Sequence, residues 1–348
     1  MGRARRQRLI PIVDAHLDLA LNAVIGCDVT VSALERRSRE EGQPTVGLPD
    51  LVAGGVAVAF ATLWAAPRGK SLGNAVPGAI EHEDDIPTYS APEEAHEQAL
   101  AQLEVYRRWA SEGRIRMITA RAELDQHLRE WENDRIPGVV LLMEGADPIV
   151  SPGQVGEWWE RGLRIVGPAW ASTRYAAGTD RPGGLTALGG ELLHEMAGVG
   201  MALDLSHLAH QACHEALAYD GPLCVTHAHP RAFNDSDRHL ADEVLDALTH
   251  RDTVVGLTVF NVFLRAAGEN GPMSLARWAE HAEYVASRIG WTRVGIGSDL
   301  DGGFGRDETP VEIDSIADLR KIADVVPAAE REGVLGGNWL RWLRGALP

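Results

Sequence analysis

The residues with the clearest chemical potential lie in Ile12-Val13-Asp14-Ala15-His16-Leu17-Asp18, where a short apolar run ends in a histidine and, two residues on, an aspartate. In an extended backbone, side chains two apart point to the same side. An imidazole nitrogen and a carboxylate oxygen can therefore meet at one divalent ion, and both suit zinc. Comparable residues close other apolar runs: Glu144 ends GVVLLME, His207 ends GMALDLSH, His227 ends PLCVTH and Asp299 ends RVGIGSD. His16, Asp18, Glu144, His207 and His227 together are more ligands than one ion needs, so two divalent metal ions are predicted, with Zn2+ the expected metal. Glu144 has two oxygens and can bridge ions about 3.5–4 Å apart. His16 and Asp18 would complete one shell, His207 and His227 the other. A water or hydroxide shared by two such cations has a lowered pKa and attacks at neutral pH. Asp299 could take its proton and later give it to a leaving group. Asp301, in SDLDGG, competes for that role, but Asp299 lies nearer the strand end.

These side chains need elements that bring them to one place. Eight apolar, β-branched runs alternate with helical periodicity, at residues 10–16, 55–64, 138–144, 164–170, 200–207, 222–227, 253–260 and 293–299. That alternation reads as βα units on a parallel sheet. In a (β/α)8 TIM barrel the strand C-termini form one ring, and catalytic residues come from several strands. The ligand-type residues stand at such ends. Residues 93–111, 209–219 and 275–289 are predicted helices; Gly113 and Gly290 stand just beyond the first and last as natural stops. The run 115–119 could be a further strand or part of a connection. Trp109, Trp158, Trp159, Trp278, Trp339 and Trp342 sit in helical patterns and are expected in the core. Residues 65–91 and 171–190 are long, irregular stretches that suit active-site loops.

The 348 residues fit one barrel of about 250 residues plus insertions, so a single domain over residues 1–348 is expected. A net charge of −17 argues against a nucleic-acid or anionic-membrane surface. Three cysteines, Cys27, Cys213 and Cys224, are too few and scattered for a disulfide framework or a cysteine zinc site. The basic N-terminus is followed by no apolar stretch of useful length, and no run approaches the roughly 20 apolar residues of a membrane span. The expectation is a cytoplasmic protein with a small-molecule substrate.

As an ordered set, DAHLD at 14–18, MEG at 143–145, DLSH at 204–207, TH at 226–227 and GSDLDG at 297–302 resemble the motifs of the membrane (renal-type) dipeptidases, dinuclear zinc members of the amidohydrolase superfamily. The resemblance runs from Val13 to the C-terminal GGNWLR. It implies a (β/α)8 barrel, Glu144 as bridging ligand where many relatives use a carboxylated lysine, and hydrolysis of dipeptides, often with a C-terminal D-residue. It also implies that Arg238 grips the substrate's terminal carboxylate, a task that suits a guanidinium fork. A homodimer is suggested by the resemblance, although the sequence carries no interface signal. The chain departs from the pattern at Trp170, where the family usually has a histidine contacting the substrate carbonyl, and at Phe260, where some relatives have a tyrosine. Both are expected to line the substrate pocket. They leave open another amide or a lactone as substrate, and a catalytically silent barrel acting as a binding protein as a third reading.

Overall fold

Runs rich in Val, Ala and Leu form parallel strands where both faces can be buried, and this chain supplies eight of them. The computed structural model describes residues 9–39, 43–69, 86–179 and 181–348. Its barrel strands are β1 (Ile12–Leu17), β2 (Val56–Trp64), β3 (Gly138–Glu144), β4 (Leu163–Gly167), β5 (Ala202–Asp204), β6 (Leu223–Cys224), β7 (Val255–Leu257) and β8 (Val294–Ile296). They pair in parallel in the order β7-β8-β1-β2-β3-β4-β5-β6. A parallel bridge between Val225 and Val255 joins the two ends and closes the ring. The predicted TIM barrel is present. The last strands are shorter than their apolar runs, because the chain turns toward the mouth before each ligand-type residue.

The longest ladder joins β2 to β3, from Val58 opposite Gly138 to Trp64 opposite Glu144. Val58, Phe60, Val140 and Leu142 fill the interior with Val13, Ala15, Ile165, Ala202 and Cys224. The helix Asn338–Ala346 inserts Trp339 and Trp342 into this cluster, where their indole N–H groups donate to the carbonyls of Ile296 and Leu223, both at 3.0 Å. Burying one such indole contributes at most about 5 kcal/mol at 25 cal/mol per Å2. Pairing each N–H removes the cost of an unsatisfied donor.

Between Asp14 and Leu17, β1 carries one residue more than the facing stretch Ala59 to Ala61 of β2. A bulge of this kind re-aims the side chains that follow it. Val13 and Ala15 already point inward, so strict alternation would turn His16 outward. The bulge instead delivers it to the mouth.

Helix boundaries follow the sequence closely: Pro92–Ser111, His210–Ala216 and Leu275–Ile289. Trp109, Trp158, Trp278, Trp339 and Trp342 are buried, as expected, and Trp159 is partly buried. Arg116–Met117 is a short strand beside the start of β3 rather than a barrel strand. The loop expected at 171–190 ends earlier, since Ala187–Val199 is helical and capped by the Thr186 hydroxyl, which accepts from Gly189 N–H at 3.0 Å. Two glycines in its first turn hide that helix from a propensity reading. Of the loop at 65–91, residues 70–85 lie outside the described residues; its ends pair as Ala66 with Thr88 and Pro67 with Tyr89.

Candidate metal centre

Five of the barrel strands, β1, β3, β5, β6 and β8, supply one or two polar side chains each to a common point. His16 ends β1 inside the bulge, and Asp18 follows at the N-terminus of the helix Leu19–Val24 with φ −86° and ψ 43°. The pair converges, with Nε2 3.6 Å from Oδ2, through a bulge and a turn rather than through the extended alternation predicted from the sequence. Glu144 closes β3. His207 and Asp299 sit beyond their strands in left-handed backbone, φ +64° and +62°. Such conformations cost about 1–3 kcal/mol at non-glycine residues and gather at functional sites.

Glu144 Oε1 lies 3.0 Å from His207 Nε2, 3.2 Å from His227 Nε2 and 3.7 Å from His16 Nε2. Asp299 Oδ1 is 3.8 Å from the same His16 nitrogen. Three overlapping ligand groups result: His16, Asp18 and Glu144; Glu144, His207 and His227; and His16, His227 and Asp299. All six predicted residues are brought together, and His16, Asp18, Glu144, His227 and Asp299 are buried.

The donor chemistry fits cations. His207 Nε2 and His227 Nε2 face each other at 2.9 Å. Their Nδ1 atoms lie 2.9 Å from the hydroxyls of Thr179 and Thr226, respectively. The Thr226 hydroxyl donates to Asp204, so it can only accept from His227 Nδ1–H. That tautomer leaves the His227 Nε2 lone pair aimed at His207 and Glu144, an arrangement that an ion relieves. Burial, followed by the neighbouring charges of Arg238 and His16, holds both imidazoles well below their usual range and therefore neutral. Burial pushes Glu144 up to about 8 and Asp299 up to about 7, against the attraction of His16. Burial alone would lower His16, but Glu144, Asp18 and Asp299 raise it to about 10. So many carboxylates crowded in low dielectric favour added positive charge, and a divalent ion would reverse these tendencies.

A second layer was not singled out from the sequence. Buried Asp204 accepts from Ser206 Oγ at 2.8 Å and Thr226 N–H at 2.9 Å. Buried Asp14 accepts from Ser298 N–H at 2.8 Å and from the Ser298 hydroxyl. The Thr62 hydroxyl donates to Asp18. The available signal was position: Thr226 and Ser298 each immediately precede a ligand-type residue. Gly256 and Gly297 make room beside Thr226, whose carbonyl oxygen would stand 2.0 and 1.8 Å from a Cβ at those positions.

Asp301 does not join the centre. It accepts from the Thr45 backbone and hydroxyl, both at 2.6 Å, and from Val46 N–H at 3.1 Å, tying down the segment before the helix Leu48–Gly54. Arg238 is buried, with one terminal nitrogen donating to His227 O at 2.8 Å and its guanidinium carbon 5.1 Å from the Phe263 ring centre. Its Nε and remaining terminal nitrogen have no partner among the described residues. A buried guanidinium with free donors calls for an anion. Phe260 is buried, stacked on Phe304 at 4.2 Å and edge-on to Phe263 at 4.9 Å, so it backs the Arg238 side of the mouth. Trp170, partly exposed, meets Trp64 edge-to-face at 5.1 Å and lies 6.2 Å from the His207 ring.

Residues 3–346 match the family described as membrane dipeptidase (peptidase family M19). An uncharacterized Klebsiella pneumoniae protein from the pqqA 5′ region is 29% identical over 67% of this chain and 90% of its own length. Dipeptidase aclJ of Aspergillus oryzae is 31% identical over 65% of this chain and 56% of its own, so the chain spans about half of that relative. In three dimensions the chain is similar to a Rhodobacter sphaeroides metallo peptidase crystallised with a phosphinate mimic of L-Ala-D-Ala. The TM-score is 0.79 at 25% identity, covering 97% of this chain and 99% of the other.

Proposed function

The chain belongs to the membrane dipeptidase family, and we propose that it hydrolyses the amide bond of dipeptides, C-terminal D-residues included, with two divalent metal ions, Zn2+ expected. The observation that carries this reading is the shared carboxylate: Glu144 belongs both to the group with His16 and Asp18 and to the group with His207 and His227. A pair of divalent ions supplies a water acidified toward neutrality and a Lewis acid for the scissile carbonyl.

The chain's own residues do the rest. His16 and Asp18 form one set of ligands, His207 and His227 the other. Arg238 binds the substrate's terminal carboxylate with guanidinium N–H groups that have no partner among the described residues. That contact fixes the amide over Glu144 and turns a bimolecular encounter into an oriented one. Asp299, 3.8 Å from His16, takes a proton from the attacking water at its carboxylate and delivers it to the departing amine. Trp170, in place of a second polar contact to the carbonyl, leaves polarisation to the His207 and His227 side.

The test is hydrolysis of L-Xaa-D-Xaa and L-Xaa-L-Xaa libraries by zinc-loaded protein, with Asp299→Asn as control. Turnover that disappears in the variant is expected. Protein that binds two metals yet cleaves no dipeptide would sink the assignment and move attention to other amides and lactones.

A further inference from the structure

We propose that Trp64 and Trp170 form a subsite for a large apolar side chain on the substrate residue that contributes the scissile carbonyl; this rests on the dipeptidase reading above. Thr62 and Trp64 are two apart on one face of β2, and the Thr62 hydroxyl donates to Asp18. Trp64 therefore stands one step nearer the mouth, level with Glu144, its partner in the β2–β3 ladder. Trp170, at the exit of β4, meets it edge-to-face at 5.1 Å and reaches to 6.2 Å from the His207 ring. The two indoles thus span the arc from Glu144 to His207 along one side of the metal ligands. Leu21, Ile25 and Ala66 pack with them in a cluster separate from the main core.

Arg238 stands at the exit of β6, and in the closed ring β2 lies opposite β6. A dipeptide held by its carboxylate at Arg238, with its amide over Glu144, must extend its amino-terminal residue toward Trp64 and Trp170. Trp64 is buried behind, whereas Trp170 keeps a partly exposed face at the mouth. An indole face offers dispersion contact and apolar area, and its negative face disfavours a carboxylate. Leu and Phe at the amino-terminal position should be preferred to Gly, Ala and Glu.

Two measurements on the metal-loaded full chain test this. One is calorimetric titration with phosphinate dipeptide mimics bearing Gly, Ala, Leu, Phe or Glu at the amino-terminal position. The other is kcat/KM on the matching dipeptides. Leu and Phe should exceed Ala on the order of tenfold in both, and Trp170→Ala should erase the ratio. Trp170→His serves as a second variant should the alanine form fail to fold, and should also reduce it. Equal binding across the series, a preference for Gly or Glu, or a Leu preference that survives both variants would overturn the subsite while leaving the dipeptidase reading intact. Preferential binding of the Leu and Phe phosphinates without cleavage of any dipeptide would keep the subsite and remove the dipeptidase reading. Absence of both binding and turnover would remove both.

Discussion

The β1–β8 and β5–β6 sides of the mouth use the same clamp to different ends. On each side a buried aspartate grips the hydroxyl residue just before a ligand-type residue on the neighbouring strand: Asp14 holds Ser298 ahead of Asp299, and Asp204 holds Thr226 ahead of His227. On the β1–β8 side the clamp stops at the hydroxyl, and His16 Nδ1 has no partner among the described residues. That ring is kept in place by contact with His227, ring centres 3.7 Å apart. On the β5–β6 side the clamp continues through Thr226 to His227 Nδ1, and the Thr179 hydroxyl lies 2.9 Å from His207 Nδ1. The first side gathers carboxylates, the second neutral imidazoles. A carboxylate ligand needs only to be aimed, whereas an imidazole must be aimed and set to one tautomer.

The variant with the largest expected effect removes what the sides share. Glu144→Gln takes a ligand from both groups and should abolish detectable dipeptide turnover and lower metal content at both positions, read by elemental analysis. Loss at one position only would mean that the sides do not share a carboxylate. Next, Asp299→Asn should lower kcat by about 10²–10⁴-fold, the range of general acid–base catalysis, while metal content stays near that of the parent protein. A fall in metal content of the same size would make Asp299 a ligand rather than a proton carrier. The clamps themselves give a smaller and more pointed contrast. Thr226→Val should weaken metal binding about 10–100-fold, with Thr226→Ser restoring it. Ser298→Ala should leave metal affinity unchanged and appear as a lower thermal midpoint. Equal losses of affinity in the two variants would erase the asymmetry.

Both the barrel and the gathering of ligand-type residues at its mouth were legible in the sequence for one reason. Parallel strands buried on two faces read as continuous apolar runs, and a TIM-barrel mouth puts functional residues where those runs stop. What could not be read depended on backbone detail. His16 turns inward through a one-residue bulge in β1, and no alternation rule announces a bulge. Asp299 and Asp301 are two residues apart and both adopt left-handed backbone; only their partners, His16 for one and Thr45 for the other, separate their roles. The hydroxyls of Thr62, Thr179 and Thr226 come from three different elements, and ordinary threonines carry no signal until the fold sets them beside a ligand. Trp64 ends an apolar run with no mark of its own, and only its register with Glu144 brings it to the mouth.

Zinc titration of metal-free protein, followed by equilibrium dialysis on the parent chain and on Glu144→Gln, shows whether one carboxylate serves both ions. Two ions should bind per parent chain, and both should bind more weakly in the variant. A single ion in the parent chain, or two that remain bound after Glu144 is changed, would contradict a centre built around one shared carboxylate.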